Sequence, residues 1–127
     1  MEMKKIVIVD DQMEVRELVK VTLQSEDYEI FQAESGEKGI EIARKEKPDL
    51  IIMDVMMPGG MDGIEATRIL KNDPNTKEFK IIMLTAKSQE FDKEAGFKAG
   101  ADDYFTKPFS PLELMKKVEE TLGRGPD

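Results

Sequence analysis

Five polar residues of this chain sit where short apolar runs end: Asp10, Asp11, Asp54, Thr85 and Lys107. Ile6-Val7-Ile8-Val9 runs into Asp10-Asp11, Leu50-Ile51-Ile52-Met53 into Asp54, and Ile81-Ile82-Met83-Leu84 into Thr85. The stretch from Asp103 to Thr106 leads to Lys107-Pro108. Three carboxylates gathered in one place repel one another and take up protons or a cation. Their oxygens are hard ligands, which selects Mg²⁺, Mn²⁺ or Ca²⁺. A Mg²⁺ ion held by a few carboxylates and several waters suits the handling of phosphate. An ammonium and a hydroxyl beside it could hold phosphoryl oxygens. Nothing supplies a general base to activate water, but a carboxylate can itself be the nucleophile and carry the phosphoryl group.

That chemistry needs a fold that brings distant residues together. The three apolar runs named above are short, continuous and rich in β-branched residues, as expected of strands buried on both faces. Tyr28 to Ala33 and Asp103 to Thr106 are weaker strand candidates. Helical spacing lies between them. Val15, Leu18, Val19, Thr22 and Leu23 form one predicted apolar stripe. A second helix is predicted over Gly36 to Lys45 with Ser35 as N-cap. A third starts at Gly63, runs to Leu70 and stops around Asn72-Asp73-Pro74. A fourth spans Ser88 to Ala99 and closes on Gly100. The fifth starts from Ser110, Pro111 and Glu113, a cap, a first-turn proline and a capping box, with Leu114, Met115, Val118 and Leu122 as its stripe. Five βα units in alternation predict a parallel sheet covered by helices on both faces. Ligands in such sheets bind outside the carboxyl ends of the strands, where the strand order reverses. All five polar residues fall at that edge.

Composition narrows the function. With 127 residues the chain is one ordinary domain, and 39% hydrophobic with 36% charged residues is a globular balance. Cysteine and histidine are both absent, which excludes disulfides, thiolate metal sites, imidazole acid–base catalysis and nearly every zinc site. The net charge of −8 repels nucleic-acid phosphates, so no nucleic-acid partner is expected. The chain opens on a strand-like run rather than a signal peptide, and no apolar stretch reaches the roughly 20 residues of a membrane span. A cytoplasmic protein with no membrane partner is expected.

The residues at the strand ends resemble those of the receiver domain of two-component response regulators. The likeness covers residues 3 to 122 and rests on five stretches in order. They are Ile8-Val9-Asp10-Asp11, Met53-Asp54-Val55-Met56-Met57-Pro58, Met61-Asp62-Gly63, Leu84-Thr85-Ala86 and Gly100-Ala101-Asp102-Asp103-Tyr104-Phe105-Thr106-Lys107-Pro108-Phe109. It implies a doubly wound, flavodoxin-like α/β fold with strand order 2-1-3-4-5, formed by residues 1–122, with 123–127 as a flexible tail. Asp54 would be the phospho-acceptor. Asp10, Asp11, Asp54 and the backbone carbonyl of Met56 would hold Mg²⁺, or Mn²⁺ in its place. Lys107, Thr85 and Ala86 would meet the phosphoryl group, with Thr85 and Tyr104 as a switch pair. A cis peptide is expected before Pro108. The implied partners are a histidine kinase or histidine phosphotransfer protein and a downstream protein. The fourth helix, fifth strand and fifth helix would be the output face, on a monomer or a phosphorylation-dependent dimer. No effector segment follows Leu122 here, so the expected output is protein–protein binding. The chain would promote its own phosphorylation and dephosphorylation without turning over an external substrate.

Plainer readings stand beside these. Asp10-Asp11 fits a solvated turn or helix cap, Thr85 a strand-end β-former, Lys107 an exposed lysine and Tyr104 a sheet aromatic. Met53, Met56, Met57, Met61 and Met83 read as flexible core filler, since thioethers do not suit Mg²⁺. Two other functions compete: a Mg²⁺-dependent phosphatase with an aspartyl nucleophile, and a receiver-like scaffold that is never phosphorylated. The phosphatase usually has a second carboxylate two residues after its nucleophile, where this chain has Met56. The chain also departs from the receiver pattern, with Gly59-Gly60 where a single residue usually stands. A local loop adjustment that leaves Asp54 and Met56 in place is expected. Met56 and Lys87 would line the path of attacking water.

Overall fold

A computed structural model describes residues 3–24, 27–86 and 90–123. The elements alternate as expected: β1 (Lys4–Val9), α1 (Met13–Leu23), β2 (Tyr28–Ala33), α2 (Gly36–Glu46), β3 (Leu50–Asp54), α3 (Gly63–Asn72), β4 (Lys80–Ala86), α4 (Glu90–Ala99), β5 (Asp103–Lys107) and α5 (Pro111–Thr121). The strands form one sheet in the order β2-β1-β3-β4-β5, and every pairing is parallel. The order reverses between β1 and β3, so the carboxyl ends of these two strands frame the crevice where ligands bind in such sheets.

Side chains along a strand point alternately to the two faces, and the core divides accordingly. Val7, Val9, Ile51, Met53, Ile81 and Met83 pack on one face against α2 and α3. Ile6, Ile8, Leu50, Ile52, Ile82 and Leu84 pack on the other, against α1 and α5. The central strands are therefore apolar on both sides, which is why they read as unbroken hydrophobic runs.

Local capping chemistry sets several helix starts. Ser35 accepts from Lys38 N at 3.1 Å, and Ser110 Oγ accepts from Glu113 N at 3.4 Å. Asp62 caps α3 by accepting from Glu65 N at 2.8 Å. Gly100 ends α4 at φ +113°.

Several expectations need correction. Leu18 was placed on the stripe of α1 that packs inward but is 46% exposed, and Met115, on the apolar stripe of α5, is 40% exposed. In α1 the buried stripe narrows to Val19 and Leu23, and in α5 to Leu114 and Val118. Met115 instead lines a shallow recess between the end of α1, Tyr28 and Glu119. Met53, Met57 and Met83 fill the core, whereas Met56 is 58% exposed and does not. The expected start of the fourth helix at Ser88, Lys87, and most of the 123–127 tail lie outside the described residues. Among the described residues, no helix is long and apolar enough to cross a membrane.

Candidate functional site

The carboxyl edge of the sheet gathers the residues that the sequence left scattered. Asp54 and Lys107 are the last residues of β3 and β5, one residue further along than the apolar runs reach. Asp10 follows β1 directly and is completely buried, with its N–H donating to Ala33 O at 3.1 Å. Asp11 is exposed. The carboxylates of Asp10, Asp11 and Asp54 each bring an oxygen within 4.8 Å of the others. Lys107 Nζ lies 3.0 Å from Asp10 Oδ2 and 3.2 Å from Asp54 Oδ1. An ammonium thus offsets part of the repulsion between two buried carboxylates.

Neither aspartate of the pair caps α1. The N-cap is Gln12, which makes no side-chain cap. Asp10 Oδ1 instead accepts from Gln12 N at 2.8 Å, an aspartate turn within the β1–α1 loop.

The electrostatics follow from this packing. Burial, reinforced by the Asp10 charge, pushes the Asp54 carboxyl up to about 6 against the pull of Lys107 and a hydrogen bond from the Met56 backbone. For Lys107, burial works against the charge, but the hydrogen bonds and charges of Asp10 and Asp54 win and hold the ammonium above its ordinary value.

The neighbouring strands complete the edge. Thr85 follows Leu84, the register partner of Asp54, and is 1% exposed. Its hydroxyl is buried with no hydrogen-bond partner. Ala86 closes β4 in register with Lys107. Tyr104 on β5 is half-buried and meets Phe97 of α4 edge to face, with ring centroids 5.8 Å apart. The Lys107–Pro108 peptide is cis.

Behind Asp54, Val55 N donates to Leu84 O at 3.1 Å and Gly63 N donates to Val55 O at 3.0 Å. A Cβ on Gly63 would fall on the Asp54 carbonyl oxygen, so α3 can approach Asp54 this closely only with glycine there. The extra residue in the β3–α3 loop is absorbed at Gly59, at φ +89°, over open space.

Two residues carry weight here that sequence reasoning did not single out. Gly63 was noted as a helix start and as part of the Met61-Asp62-Gly63 stretch, but its contact with the Asp54 backbone was not. Arg16 was not noted at all, although a charged residue three before Val19 on a buried helix stripe is a readable signal.

The donor set fits a hard divalent cation: three carboxylates within reach of one another at an open edge, with no softer ligand. The acidic pocket and Lys107 lie at the carboxyl edge of an open parallel α/β sheet, where such sheets bind ligands. The sequence model of the response regulator receiver domain matches residues 6–119, and the chain belongs to that family. It is 47% identical over 121 residues to the phosphate regulon transcriptional regulatory protein PhoB of Pseudomonas aeruginosa, covering 95% of this chain and 52% of that protein. It is 46% identical over 121 residues to the alkaline phosphatase synthesis transcriptional regulatory protein PhoP of Bacillus subtilis, covering 95% of this chain and 49% of that one. The chain thus spans about half the length of these curated relatives. Among solved structures, a candidate response regulator from Chloroflexus aurantiacus superposes with a TM-score of 0.90 at 40% identity, covering 97% of this chain and 100% of that one.

Proposed function

We propose that this receiver domain accepts a phosphoryl group on Asp54 from a phosphohistidine, in the cytoplasm, and passes the signal to a protein partner. The observation that carries the reading is the placement of Asp54, buried at a strand end, with Lys107 at 3.2 Å and two further carboxylates beside it. An Asp54 carboxylate oxygen attacks phosphorus, the phosphorus–nitrogen bond breaks, and its electron pair stays on the imidazole of the donor. An acyl phosphate remains on Asp54. Asp10, Asp11 and Asp54 would hold Mg²⁺, with the Met56 carbonyl as a further ligand; Mn²⁺ fits the same oxygen set. The ion would neutralise charge on the transferring oxygens. Lys107 would be released from Asp54 as that carboxylate becomes an acyl phosphate, and would pair with a phosphoryl oxygen instead.

The buried Thr85 hydroxyl has no partner in this state. Donation to the new phosphoryl oxygens would satisfy it and draw the β4 end inward. Tyr104, half-buried against Phe97, is the side chain whose packing would register that movement. The face of α4, β5 and α5 would then be read by a downstream protein or by a second copy. Both curated relatives are named transcriptional regulators, and for the residues present here protein–protein output remains the proposal.

Mass spectrometry after incubation with acetyl phosphate and Mg²⁺ tests this. The expected result is one phosphoryl adduct, absent without Mg²⁺ and absent in Asp54→Asn. Failure to label, together with no response to beryllofluoride, would leave the scaffold reading. Steady hydrolysis of a generic phosphate ester, lost in Asp54→Asn, would favour the phosphatase.

A further inference from the structure

Arg16 stands outside every role given above. It lies three residues before Val19 and seven before Leu23, on the side of α1 that faces the sheet. A guanidinium there needs partners to offset lost hydration. Its Nη1 donates to the backbone carbonyl of Asp10 at 2.8 Å, and its Nε donates to Gln32 Oε1 at 3.1 Å. Gln32 belongs to β2, in register with Ile8 of β1. One rigid planar group therefore ties the β1–α1 loop to the neighbouring strand.

The carbonyl it grips belongs to the peptide plane joining Asp10 to Asp11. Asp10 is otherwise held at its N–H by Ala33 and at its two carboxylate oxygens by Gln12 N and Lys107. With the N–H and both side-chain oxygens taken, the carbonyl is the remaining polar atom of Asp10, and Arg16 fixes it. The orientation of that peptide plane decides where the exposed Asp11 side chain starts. In this structure the Asp11 carboxylate lies within 4.8 Å of those of Asp10 and Asp54.

We infer that Arg16 is a positioning residue for the cation site: it sets the Asp10–Asp11 peptide so that the Asp11 carboxylate faces Asp10 and Asp54. This rests on the reading of the acidic pocket as a Mg²⁺ site. A simple staple between α1 and β2 would change stability and leave cation affinity alone. A positioning residue changes affinity in the folded protein, and it does so without altering the chemical step once the ion is bound. Groups that orient metal ligands typically contribute about 10–100-fold in affinity.

The test measures Mg²⁺ affinity by calorimetry at pH 7.5 in wild type, Arg16→Met, Arg16→Lys and Gln32→Met, each checked for folding by circular dichroism. Acetyl phosphate labelling is followed over a Mg²⁺ titration. Arg16→Met is expected to weaken Mg²⁺ binding about tenfold or more, by analogy with other groups that orient ligands. Its labelling rate at saturating Mg²⁺ should stay close to wild type. Arg16→Lys should recover part of the affinity, because an ammonium keeps the charge but cannot serve both acceptors in a fixed fork. Gln32→Met removes only the outer leg and should cost less than Arg16→Met. If Arg16→Met fails to fold, Arg16→Lys and Gln32→Met still decide: weakened binding in both supports the inference. Folded variants with wild-type affinity overturn it. Wild-type protein that binds no Mg²⁺ overturns the pocket reading first, and the inference with it.

Discussion

Lys107 and Asp54 are 53 residues apart in sequence and meet at 3.2 Å where β3 and β5 end. The same ammonium lies 3.0 Å from Asp10 Oδ2, so one cation serves two buried carboxylates. Its removal leaves two buried carboxylates without a counter-ion. Lys107→Met should therefore lower the stability of the cation-free protein at pH 7.5 by on the order of 1–3 kcal/mol, below the full cost of a stranded buried charge because Asp54 can take up a proton. The deficit should shrink toward pH 5, where that proton is available, and saturating Mg²⁺ should also repair it. Urea unfolding at the two pH values, with and without Mg²⁺, checks both arms. A stability loss independent of pH and Mg²⁺ would point to lost packing of the lysine stem.

The Asp54 carboxyl titrates at about 6 in the folded protein, above its unfolded value of 3.8. Between those values the folded state binds more protons than the unfolded one, so stability falls as pH rises through this window. Above about pH 6 the penalty is fully present. Asp54→Asn removes it and should raise cation-free stability at pH 7.5 by on the order of 2 kcal/mol, with little gain at pH 4. Cation binding needs the ionised form, so Mg²⁺ affinity should drop about tenfold for each pH unit below 6. Calorimetry between pH 5 and 7.5 reads the slope. A flat profile would mean that Asp54 is ionised throughout and that the pocket is wetter than its packing implies.

Much of this arrangement was legible in the sequence because it depends on local rules. Apolar runs that end abruptly in Asp54 and Thr85 mark the working edge of a parallel sheet, and Ser35 and Ser110 mark helix starts. What was not legible depends on packing between elements. Leu18 and Met115 fit a helical stripe, yet which flank of a helix meets the sheet is settled by its neighbours. Met56 looks like core filler by type but is 58% exposed, although its neighbours Val55 and Met57 are both buried. Arg16 could be picked out by its place on the α1 stripe, but its partners, the Asp10 carbonyl and Gln32 of another strand, could not. Gly63 reads as a helix start, while the contact that requires it is with an acceptor strand nine residues earlier.

Gly59 in the β3–α3 loop and Gly63 at the start of α3 should respond differently to the same change. At Gly63 a methyl group would press on the Asp54 carbonyl, a backbone atom with nowhere to go. Gly63→Ala should cost about 1–3 kcal/mol, as overpacking does, and should weaken Mg²⁺ binding by shifting Asp54 itself. At Gly59 there is open space, and the only cost is the left-handed backbone angle of +89°. Gly59→Ala should cost about 1 kcal/mol and leave Mg²⁺ affinity unchanged. Chemical denaturation paired with calorimetry separates the two. Equal loss of Mg²⁺ affinity in both variants would show that the whole loop, rather than the contact at Gly63, sets the acceptor.

The role proposed for Thr85 predicts an effect whose sign reverses on phosphorylation. Its hydroxyl is buried beside the pocket and makes no hydrogen bond. Valine has nearly the same shape, favours strands and carries no polar atom to desolvate. Thr85→Val should therefore stabilise the cation-free protein by about 1 kcal/mol, an unusual outcome for a substitution at a functional position. The phosphorylated state should lose what the resting state gains, because the donor that would reach the phosphoryl oxygens is gone. Amide hydrogen exchange of β4, α4 and β5 with and without beryllofluoride and Mg²⁺ reads this directly. Wild type should gain protection around Thr85 and Tyr104 on activation, and Thr85→Val should gain much less while still binding Mg²⁺ normally. Equal protection in the two proteins would remove Thr85 from the switch and leave it as a strand residue with an unsatisfied hydroxyl.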